Sequence, residues 1–466
     1  MPYVALSELL SLAGLPAEAA QSVAFTGADP VLATRFRIGA AGAAAIAAAA
    51  VAAAEIHAAR SGRPRQAIAV DLRHAVAALR SLRLLRIDGA PPKDVFDPIS
   101  GFYDARDGRA VMLHCNFPNH RAAALEALGL ASGVMRQAVA AAVAGWEGLA
   151  LEDAVHEAGG CAALVRSREE WHAHPQRAAV ARLKLLEIER IGDAPPEAPA
   201  AADRPLAGMR VLDLTRVLAG PTGARTLAEH GAEVLKISAP HLPSKRDMDI
   251  DTGLGKRAAF LDLRREEDGA RLAALARDGG ADVFVQGYRP GALARRGFGA
   301  EALARLRPGI VVVELSAWGR LGPWSTRRGF DTIVQCASGL ALIEGAGAPR
   351  LMPVQAIDYV SGYLMALGAI TALLRRAREG GSWRVRVSLA RTGQWICDQG
   401  LLDAAEAAAA PKEMPEAEIA GFSEEMPSSF GRLRHLAPAA RMAETPARWT
   451  RPPVPLGHDA PEWPPH

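Results

Sequence analysis

The sequence predicts an α/β fold, in which a large domain with a doubly wound parallel sheet follows a smaller α+β domain. Short apolar strands alternate with helices after residue 205, which is the pattern of a parallel sheet with right-handed crossovers. A Pro/Ala-rich linker, DAPPEAPAAADRP at 193–205, precedes this region. A chain of 466 residues is long enough for two or three domains.

Composition excludes several classes of protein. The formal net charge is only +3 and basic residues are interleaved with acidic ones, so we expect no nucleic-acid partner. The four cysteines form no CxxC, which predicts neither a metal site nor a disulfide framework. No signal peptide is evident. The run Ala40–Ala54 is nearly all alanine and predicts an interior helix rather than a membrane span. A cytoplasmic protein without a membrane partner is therefore expected.

The first 192 residues predict a short amphipathic helix, the alanine-rich helix and then a strand that passes into a helix at 66–82. Residues 96–121 predict a hairpin whose turn lies at 105–108, and three further helical stretches follow. The histidines of this part have no metal-binding pattern and are expected to be surface or hairpin residues; they are His114, His120, His156, His172 and His174.

After the linker, the sequence predicts five strands with helices between them, at 209–214, 233–237, 257–263, 282–285 and 310–315. Ligands bind beyond the carboxyl ends of such strands, which points to the loops 215–223, 286–291 and 316–328. The first loop is not a GxGxxG, and no acidic residue follows the second strand, so classical NAD binding is not expected. Arginines and lysines recur near these loops, and a converging subset would suit a ligand with several phosphates.

The most informative stretch surrounds Asp358. A Gly/Pro-rich loop at 344–353 leads to this carboxylate, and an apolar helix predicted over 359–374 follows it. Asp358 therefore stands where an N-cap residue is expected. Two interpretations remain open at this point: a simple cap, or a carboxylate that the helix dipole keeps ionised and that acts as a nucleophile.

An internal echo supports a duplication. The stretch at 66–79 resembles the one at 383–396, and each follows a long Ala-rich helix and a Gly-containing turn. This alignment places the alanines of 39–45 opposite Asp358, so the first copy has the helix without the carboxylate.

Several motifs resemble the large domain of the family III CoA-transferases, which also include the α-methylacyl-CoA racemases. They are VLDLTRVLAGPTGARTLAEHGAEVLKI, KRAAFLDLRREEDGARLAAL, ADVFVQGYRPGALARRGFG, PGIVVVELSAWGRLGPW, GFDTIVQCASGL and the DYVSG at Asp358. The resemblance implies a small-domain-like portion over 1–192, a large Rossmann-like CoA-binding domain over 206–396 and a C-terminal return segment over 397–466. The small domain usually follows the large one, so the order is rearranged here.

The resemblance implies an acyl-CoA:carboxylate CoA-transferase that works as an interlocked homodimer. Asp358 would be the nucleophile, and the reaction would pass through a mixed anhydride and an aspartyl-CoA thioester. Coenzyme A or acyl-CoA would be a substrate, with no permanently bound cofactor and no metal. The implied CoA contacts are Val217, Leu218, Ala219, Leu261, Arg264, Gly287, Tyr288, Arg295 and Arg328. Three departures are visible: Gly287-Tyr288 stands where an Asn-Phe pair is common, Arg264 replaces a lysine of some members, and Ala239 replaces an arginine found in some members.

The racemases of this group carry a GHD triplet whose histidine transfers protons. Here the triplet is Gly329-Phe330-Asp331, and a phenylalanine ring cannot carry a proton. The sequence therefore favours a transferase over a racemase or isomerase. A non-catalytic CoA-binding subunit is the third alternative, against which the retained Asp358 argues.

Overall fold

The computed structural model describes residues 1–93, 96–278 and 280–464. The last two residues of the predicted return segment, 465 and 466, lie outside these ranges. The helices, in chain order, are α1 Pro2–Ala13, α2 Ile38–Ser61, α3 Leu72–Ala78, α4 Ser81–Leu84, α5 Pro118–Ala127, α6 Arg136–Val143, α7 Gly148–Glu157, α8 Arg168–Ala173, α9 Pro175–Ala181, α10 Ala219–Glu229, α11 Arg246–Thr252, α12 Glu266–Arg277, α13 Ala300–Leu306, α14 Asp331–Ala337, α15 Leu340–Glu344, α16 Ala356–Glu379, α17 Leu389–Asp398, α18 Ala404–Ala409 and α19 Glu416–Gly421.

The strands, in chain order, are β1 Val23–Thr26, β2 Ile68–Asp71, β3 Arg86–Ile87, β4 Gly101–Asp104, β5 Ala110–Leu113, β6 Ala162–Leu164, β7 Glu187–Gly192, β8 Arg210–Leu214, β9 Glu233–Ser238, β10 Lys256–Phe260, β11 Val283–Gln286, β12 Val311–Ser316, β13 Ser382–Ser388, β14 Ser423–Ser428, β15 Gly431–Leu436 and β16 Ala440–Met442.

A large sheet with the strand order β10-β9-β8-β11-β12-β13-β7 organises the molecule. Its neighbours pair in parallel, except that β7 runs antiparallel to β13. Helices between the strands bury continuous apolar runs such as Val311–Val313 on both faces, as a parallel sheet requires. The predicted α/β class and parallel pairing are therefore confirmed.

The predicted domain boundary needs one correction. Strand β7 precedes the linker at 193–205, yet it forms the edge of the large sheet beside β13. Arg384 and Arg386 of β13 form ion pairs with Glu189, at 3.0 Å each, across this pair of strands. An amphipathic edge strand of this kind carries no sequence signal for which sheet it joins.

Three small sheets complete the fold. The predicted hairpin at 96–121 is confirmed as the antiparallel pair β4–β5, which β6 extends. The C-terminal segment returns to the N-terminal part of the chain, because β15 pairs with β3 and β16 pairs with β2. The two ends of the chain therefore close onto one another rather than forming separate bodies.

The helices α2 and α16 pack against each other at the centre of the shared core. By length and composition either helix could cross a membrane, but the apolar window of each is fully buried inside the protein. A helix that is apolar on all sides is typical of a position enclosed by other elements. The prediction of an interior alanine-rich helix is thus confirmed.

The two central helices correspond in detail. Each has 24 residues, and the strand and helix that follow α2 (β2, α3) match those that follow α16 (β13, α17) in order. Asp29 accepts hydrogen bonds of 2.8 Å from the backbone N–H groups of Gly39 and Ala40, the second and third residues of α2. Asp331 does the same for α16, as described below, and Ala40 is therefore the counterpart of Asp358.

Candidate active site

Asp358 is the third residue of α16 and not its N-cap, so the predicted capping role is wrong. The helix begins at Ala356 after Gln355, whose side chain makes no capping bond. Asp331 caps the helix instead: its Oδ2 accepts from the N–H groups of Ile357 at 3.0 Å and Asp358 at 3.2 Å. Because Asp331 takes the donors at the helix end, the carboxylate of Asp358 is left for another role.

The two carboxyl groups shift each other's ionisation. Burial and the neighbouring carboxylate of Asp331 raise the pKa of Asp358 well above its usual value. Burial also raises the pKa of Asp331 to about 6, although three hydrogen bonds, including one from Gln335, oppose this shift. The expectation that the helix dipole would hold Asp358 ionised is not met, because no hydrogen-bond donor reaches its carboxylate within the described ranges. The pair therefore titrates as one coupled unit.

Asp358 opens into a cavity of about 560 Å³ at the carboxyl ends of the parallel strands. The loops after β8, β11 and β12 line it, as the sequence predicted. Asp358 is the one carboxylate among the described residues that line the cavity, which also include Arg216, Arg289, Arg327 and Arg328. A cavity with this charge distribution favours an anionic ligand.

Three of these arginines lack a carboxylate partner among the described residues, although Arg216 and Arg328 each donate one hydrogen bond to a backbone carbonyl. Arg327 pairs with Glu152 at 3.2 Å and Asp153 at 2.7 Å. In the part of the chain that the structure describes, Arg216, Arg289 and Arg328 have no carboxylate within ion-pair distance. Guanidinium groups that face a cavity without a protein carboxylate are suited to phosphate groups.

Most of the predicted CoA contacts line one of two adjoining cavities, the one that holds Asp358 and a second one beside it. Val217, Leu218, Ala219, Gly287, Tyr288 and Arg328 line the same cavity as Asp358. Leu261 and Arg264 line a second cavity of about 190 Å³, which shares Tyr288 with the first. Arg295 lies in an exposed turn and lines neither cavity. Arg264 is exposed and pairs with Asp262 at 2.5 Å.

The loop after β8 has a buried support. Lys256 donates from Nζ to Oδ2 of Asp213 and to the carbonyl of Pro221, both at 2.8 Å, and both charged side chains are fully buried. Asp213 also accepts from the backbone N–H of Thr215 at 2.9 Å. Lys256 is thus one of the lysines near the ligand loops, but it supports the loop from below. The predicted loop Ala219–Gly223 is in fact the first turn of α10.

Val217 has a left-handed backbone conformation with φ of 71°. A β-branched residue is strained in this region, and such strain is common at ligand-binding loops. Leu218 follows as the N-cap of α10, so the strained residue sets the direction in which this helix starts beside the cavity.

The sequence reasoning missed the contribution of the smaller, N-terminal part. Phe117, Asn119 and His120, at the start of α5, line the cavity together with Asp358. His114 and His120 lie within the predicted hairpin segment 96–121, but they are not surface residues, because only 5% and 6% of their surface is exposed. His114 stacks on Phe330 with ring centroids 4.0 Å apart. The only available signal was the density of aromatic and histidine residues in HCNFPNH.

Comparison with known proteins agrees with the site. Residues 206–425 match the sequence model of CoA-transferase family III. The acetyl-coenzyme A transferase nodX of Hypoxylon pulicicidum is 38% identical over 209 residues, which are 43% of this chain and 35% of that protein. The succinyl-CoA:glutarate CoA-transferase of Mus musculus is 34% identical over 204 residues, 40% of this chain and 45% of that protein.

Among solved structures, Rv3272 from M. tuberculosis is 30% identical, with a TM-score of 0.39; the match covers 42% of this chain and 58% of that one. The alignments span less than half of the two curated relatives. The resemblance seen in the sequence is confirmed for the region 206–425, which matches the family III model and holds Asp358 and the loops that line its cavity.

Proposed function

We propose that this protein is an acyl-CoA:carboxylate CoA-transferase whose nucleophile is Asp358. The observation that carries the proposal is a single buried carboxylate at the base of a cavity that is otherwise rimmed by arginines. The relatives named as acetyl-CoA and succinyl-CoA transferases support the choice of acyl-CoA as the donor. The second substrate is a carboxylic acid.

The reaction consists of four carbonyl substitutions. The Asp358 carboxylate attacks the thioester, which gives a mixed anhydride and releases the CoA thiolate. The thiolate attacks the aspartyl carbonyl and expels the donor acid, which leaves an aspartyl-CoA thioester. The acceptor carboxylate attacks this thioester, and the released thiolate then attacks the acceptor acyl carbon, which frees Asp358. Attack requires the ionised form, and a raised pKa makes that carboxylate a stronger nucleophile.

Coenzyme A is proposed to bind across both cavities of a Rossmann-like domain. Its thioester end lies by Val217, Leu218 and Ala219, while Leu261 and Arg264 face its nucleotide end. Gly287 and Tyr288 stand between the cavities, and Arg216, Arg289 and Arg328 supply the positive charge that its phosphates require. Arg295 stays a proposed contact that acts from the surface. No permanently bound cofactor is part of the proposal.

The racemase alternative is less well supported, because Phe330 lines the cavity at the position where a proton-carrying residue would stand. The binding-subunit alternative is disfavoured by the buried carboxylate, since an ionisable group without a partner is costly to keep in a site that only binds.

The decisive experiment follows CoA transfer from acyl-CoA donors to carboxylic acids. We expect Asp358→Ala to lower kcat by about a thousandfold or more, as the loss of a nucleophile does. Hydroxylamine added during turnover should convert Asp358 into a hydroxamate that mass spectrometry locates. Asp193→Asn, at a side chain that is 99% exposed, is the control. Full activity of Asp358→Ala, or no adduct with any donor, would refute the proposal.

We further propose a cytoplasmic homodimer, which rests on the family resemblance. Light scattering should give a mass of about twice 49.1 kDa. A mass of 49.1 kDa would contradict the dimer and would indicate that the packing of α2 on α16 within one chain replaces a partner subunit.

A further inference from the structure

The N-terminal part contributes a histidine to the cavity of Asp358. His120 is the third residue of α5 and is 6% exposed, and it lines the same cavity as Asp358, Phe330 and Arg328. Its ring lies edge-on to Phe330, with centroids 5.5 Å apart, and edge-on to Phe117 at 5.8 Å. These contacts fix the plane of the imidazole at the rim of the cavity.

Among the described residues, no hydrogen-bond partner reaches the imidazole of His120. Its Nδ1 is buried without a hydrogen bond, and no described residue bonds either ring nitrogen. A buried polar atom without a partner is costly, so such groups in binding sites usually meet a ligand. Because the ring faces the cavity, the bound substrate is the available partner.

The charge state of His120 suits a hydrogen-bond donor. Burial lowers its pKa to about 4, and the positive charges of Arg328 and Arg216 act in the same direction. A neutral imidazole still carries one N–H. The neutral ring would not form a lasting ion pair with Asp358. An imidazolium would form one and would lower the reactivity of the carboxylate.

The neighbouring histidine provides a contrast. His114 stacks flat on Phe330, and its Nδ1 lies 3.2 Å from the hydroxyl of Thr332. It is not among the residues that line the cavity. The two histidines thus share one aromatic cluster, but only His120 can touch a substrate.

We propose that His120 is a catalytic residue that donates a hydrogen bond to the acyl oxygen while Asp358 attacks the thioester. Negative charge develops on that oxygen as the tetrahedral intermediate forms, and a preplaced donor stabilises it. Position 330 holds a phenylalanine where the racemases have a histidine, and His120 from the N-terminal part of the chain brings an imidazole to the cavity instead. This imidazole donates a hydrogen bond and takes no proton from carbon. This inference rests on the proposed transferase function.

The test compares three variants of the full chain in the CoA-transfer assay. We expect His120→Phe to lower kcat by about a hundredfold, as the loss of one such donor does, with the KM for acyl-CoA changed by less than about threefold. His120→Gln keeps an N–H donor and should retain kcat within about tenfold of the wild type. His114→Phe keeps the stacking on Phe330 and should change kcat by less than about threefold.

Other outcomes overturn the inference. An unchanged kcat in His120→Phe would remove the proposed role, and an equal loss in His114→Phe and His120→Phe would assign the effect to packing. In a third outcome, the wild type exchanges the substrate α-hydrogen with deuterated water while His120→Phe does not. This result would assign the imidazole the role of a base that removes a proton from carbon. Trapping of the Asp358 adduct in the wild type tests the transferase reaction independently of His120. Failure of the role proposed for His120 can therefore be distinguished from failure of the proposed function.

Discussion

Helix capping and a position at the cavity, which the sequence offered for Asp358 alone, belong to two different carboxyl groups in the structure, those of Asp331 and Asp358. Asp331 satisfies the N–H groups at the start of α16, while Asp358, one residue beyond Ile357, faces the cavity. Burial raises the pKa of both carboxyl groups, and the charge of Asp331 raises that of Asp358 further, so the protonated forms are favoured in the folded state. The contribution of Asp331 to stability is therefore greatest below the usual carboxyl pKa of about 4 and is lost as the pH rises through about 6.

This coupling predicts a pH dependence. Because attack requires ionised Asp358, kcat/KM should rise with pH as the pair loses its proton. Asp331→Asn removes the repulsion between the carboxylates, so the midpoint of the acidic limb should move to lower pH, by about one unit. The measurement is a pH profile of kcat/KM between pH 4.5 and 8, taken as about the span in which buried carboxyl groups titrate.

Asp29→Asn is the matched control for that profile. Asp29 caps α2 in the same way as Asp331 caps α16, but it lies outside the cavity of Asp358. The substitution should lower stability without moving the acidic limb. An equal shift in both variants would mean that general loosening of the fold, and not the charge of Asp331, sets the pKa of Asp358.

Sequence reasoning singled out Asp358 and the loops that line its cavity, but not the neighbours that affect them. Asp331 lies 27 positions before Asp358, and nothing in the local pattern connects the two. His120 lies still farther away, in a part of the chain that belongs to another sheet. Local periodicity identifies strands, helices and their loops, whereas side chains that meet only after folding leave no local trace.

At the scale of elements, the contact between α10 and α16 positions the loop that faces Asp358. A Cβ on Gly362 would lie 2.6 Å from the carbonyl of Ala219 and 2.7 Å from the Cβ of Thr222. On the other helix, a Cβ on Gly223 would lie 3.0 Å from the carbonyl of Gly362. The two helices therefore approach each other as closely as backbones can, and Ala219 lines the cavity as a result.

Gly362→Ala should push these helices apart. We expect a loss of about 1–3 kcal/mol in the free energy of unfolding, together with a lower kcat/KM because the loop at Ala219 moves away from Asp358. Urea unfolding and CoA-transfer kinetics measure both effects. Gly269→Ala is the control: this glycine lies in α12 with no atom within 4 Å of the added Cβ, and the same substitution there should stabilise by about 0.5–1 kcal/mol. A stabilised Gly362→Ala would contradict the close packing.

The parallel pairing of the strands and the outline of the helices were accessible from the sequence, but the start of α10 was not. The letters AGPTG predicted a loop because glycine and proline usually interrupt helices. In the fold, Pro221 stands in the first turn, where its missing N–H costs nothing, and Gly220 and Gly223 meet Thr215 and Gly362 at short range. Tertiary packing thus overrode the local preference.

At the scale of the whole molecule, α2 and α16 form one centre with two unequal halves. Both helices have the same length and the same kind of cap, but Ala40 stands where α16 has Asp358. One apolar core encloses both. The echo in the sequence is therefore also a correspondence of structure, and it locates the alanine that the sequence alignment left within 39–45.

Ala40→Asp tests whether the first half can still accept a carboxylate. Ala40 is 2% exposed and receives the cap from Asp29, so a second carboxylate there would be buried beside the first. We expect a loss of about 2–4 kcal/mol in the free energy of unfolding at neutral pH. The loss should be smaller near pH 5, because the raised pKa lets the new group stay protonated.

Ala140→Asp places the same change on the exposed face of α6, where the cost should stay below about 1 kcal/mol. An Ala40→Asp variant as stable as the wild type would show that the first half keeps room for an active carboxylate.

The matched caps of α2 and α16 have a consequence for stoichiometry. The capping aspartate is present in both halves, but the carboxylate beside the cavity is present only in the second. The capping aspartates are therefore explained by stability, and the carboxylate of Asp358 by the proposed reaction. Substitutions in the first half are limited by stability alone, whereas those at Asp358 are also limited by the reaction. Under the proposed mechanism, mixing with acyl-CoA and no acceptor should release one equivalent of the donor acid for every 466-residue chain, whatever number of chains associate.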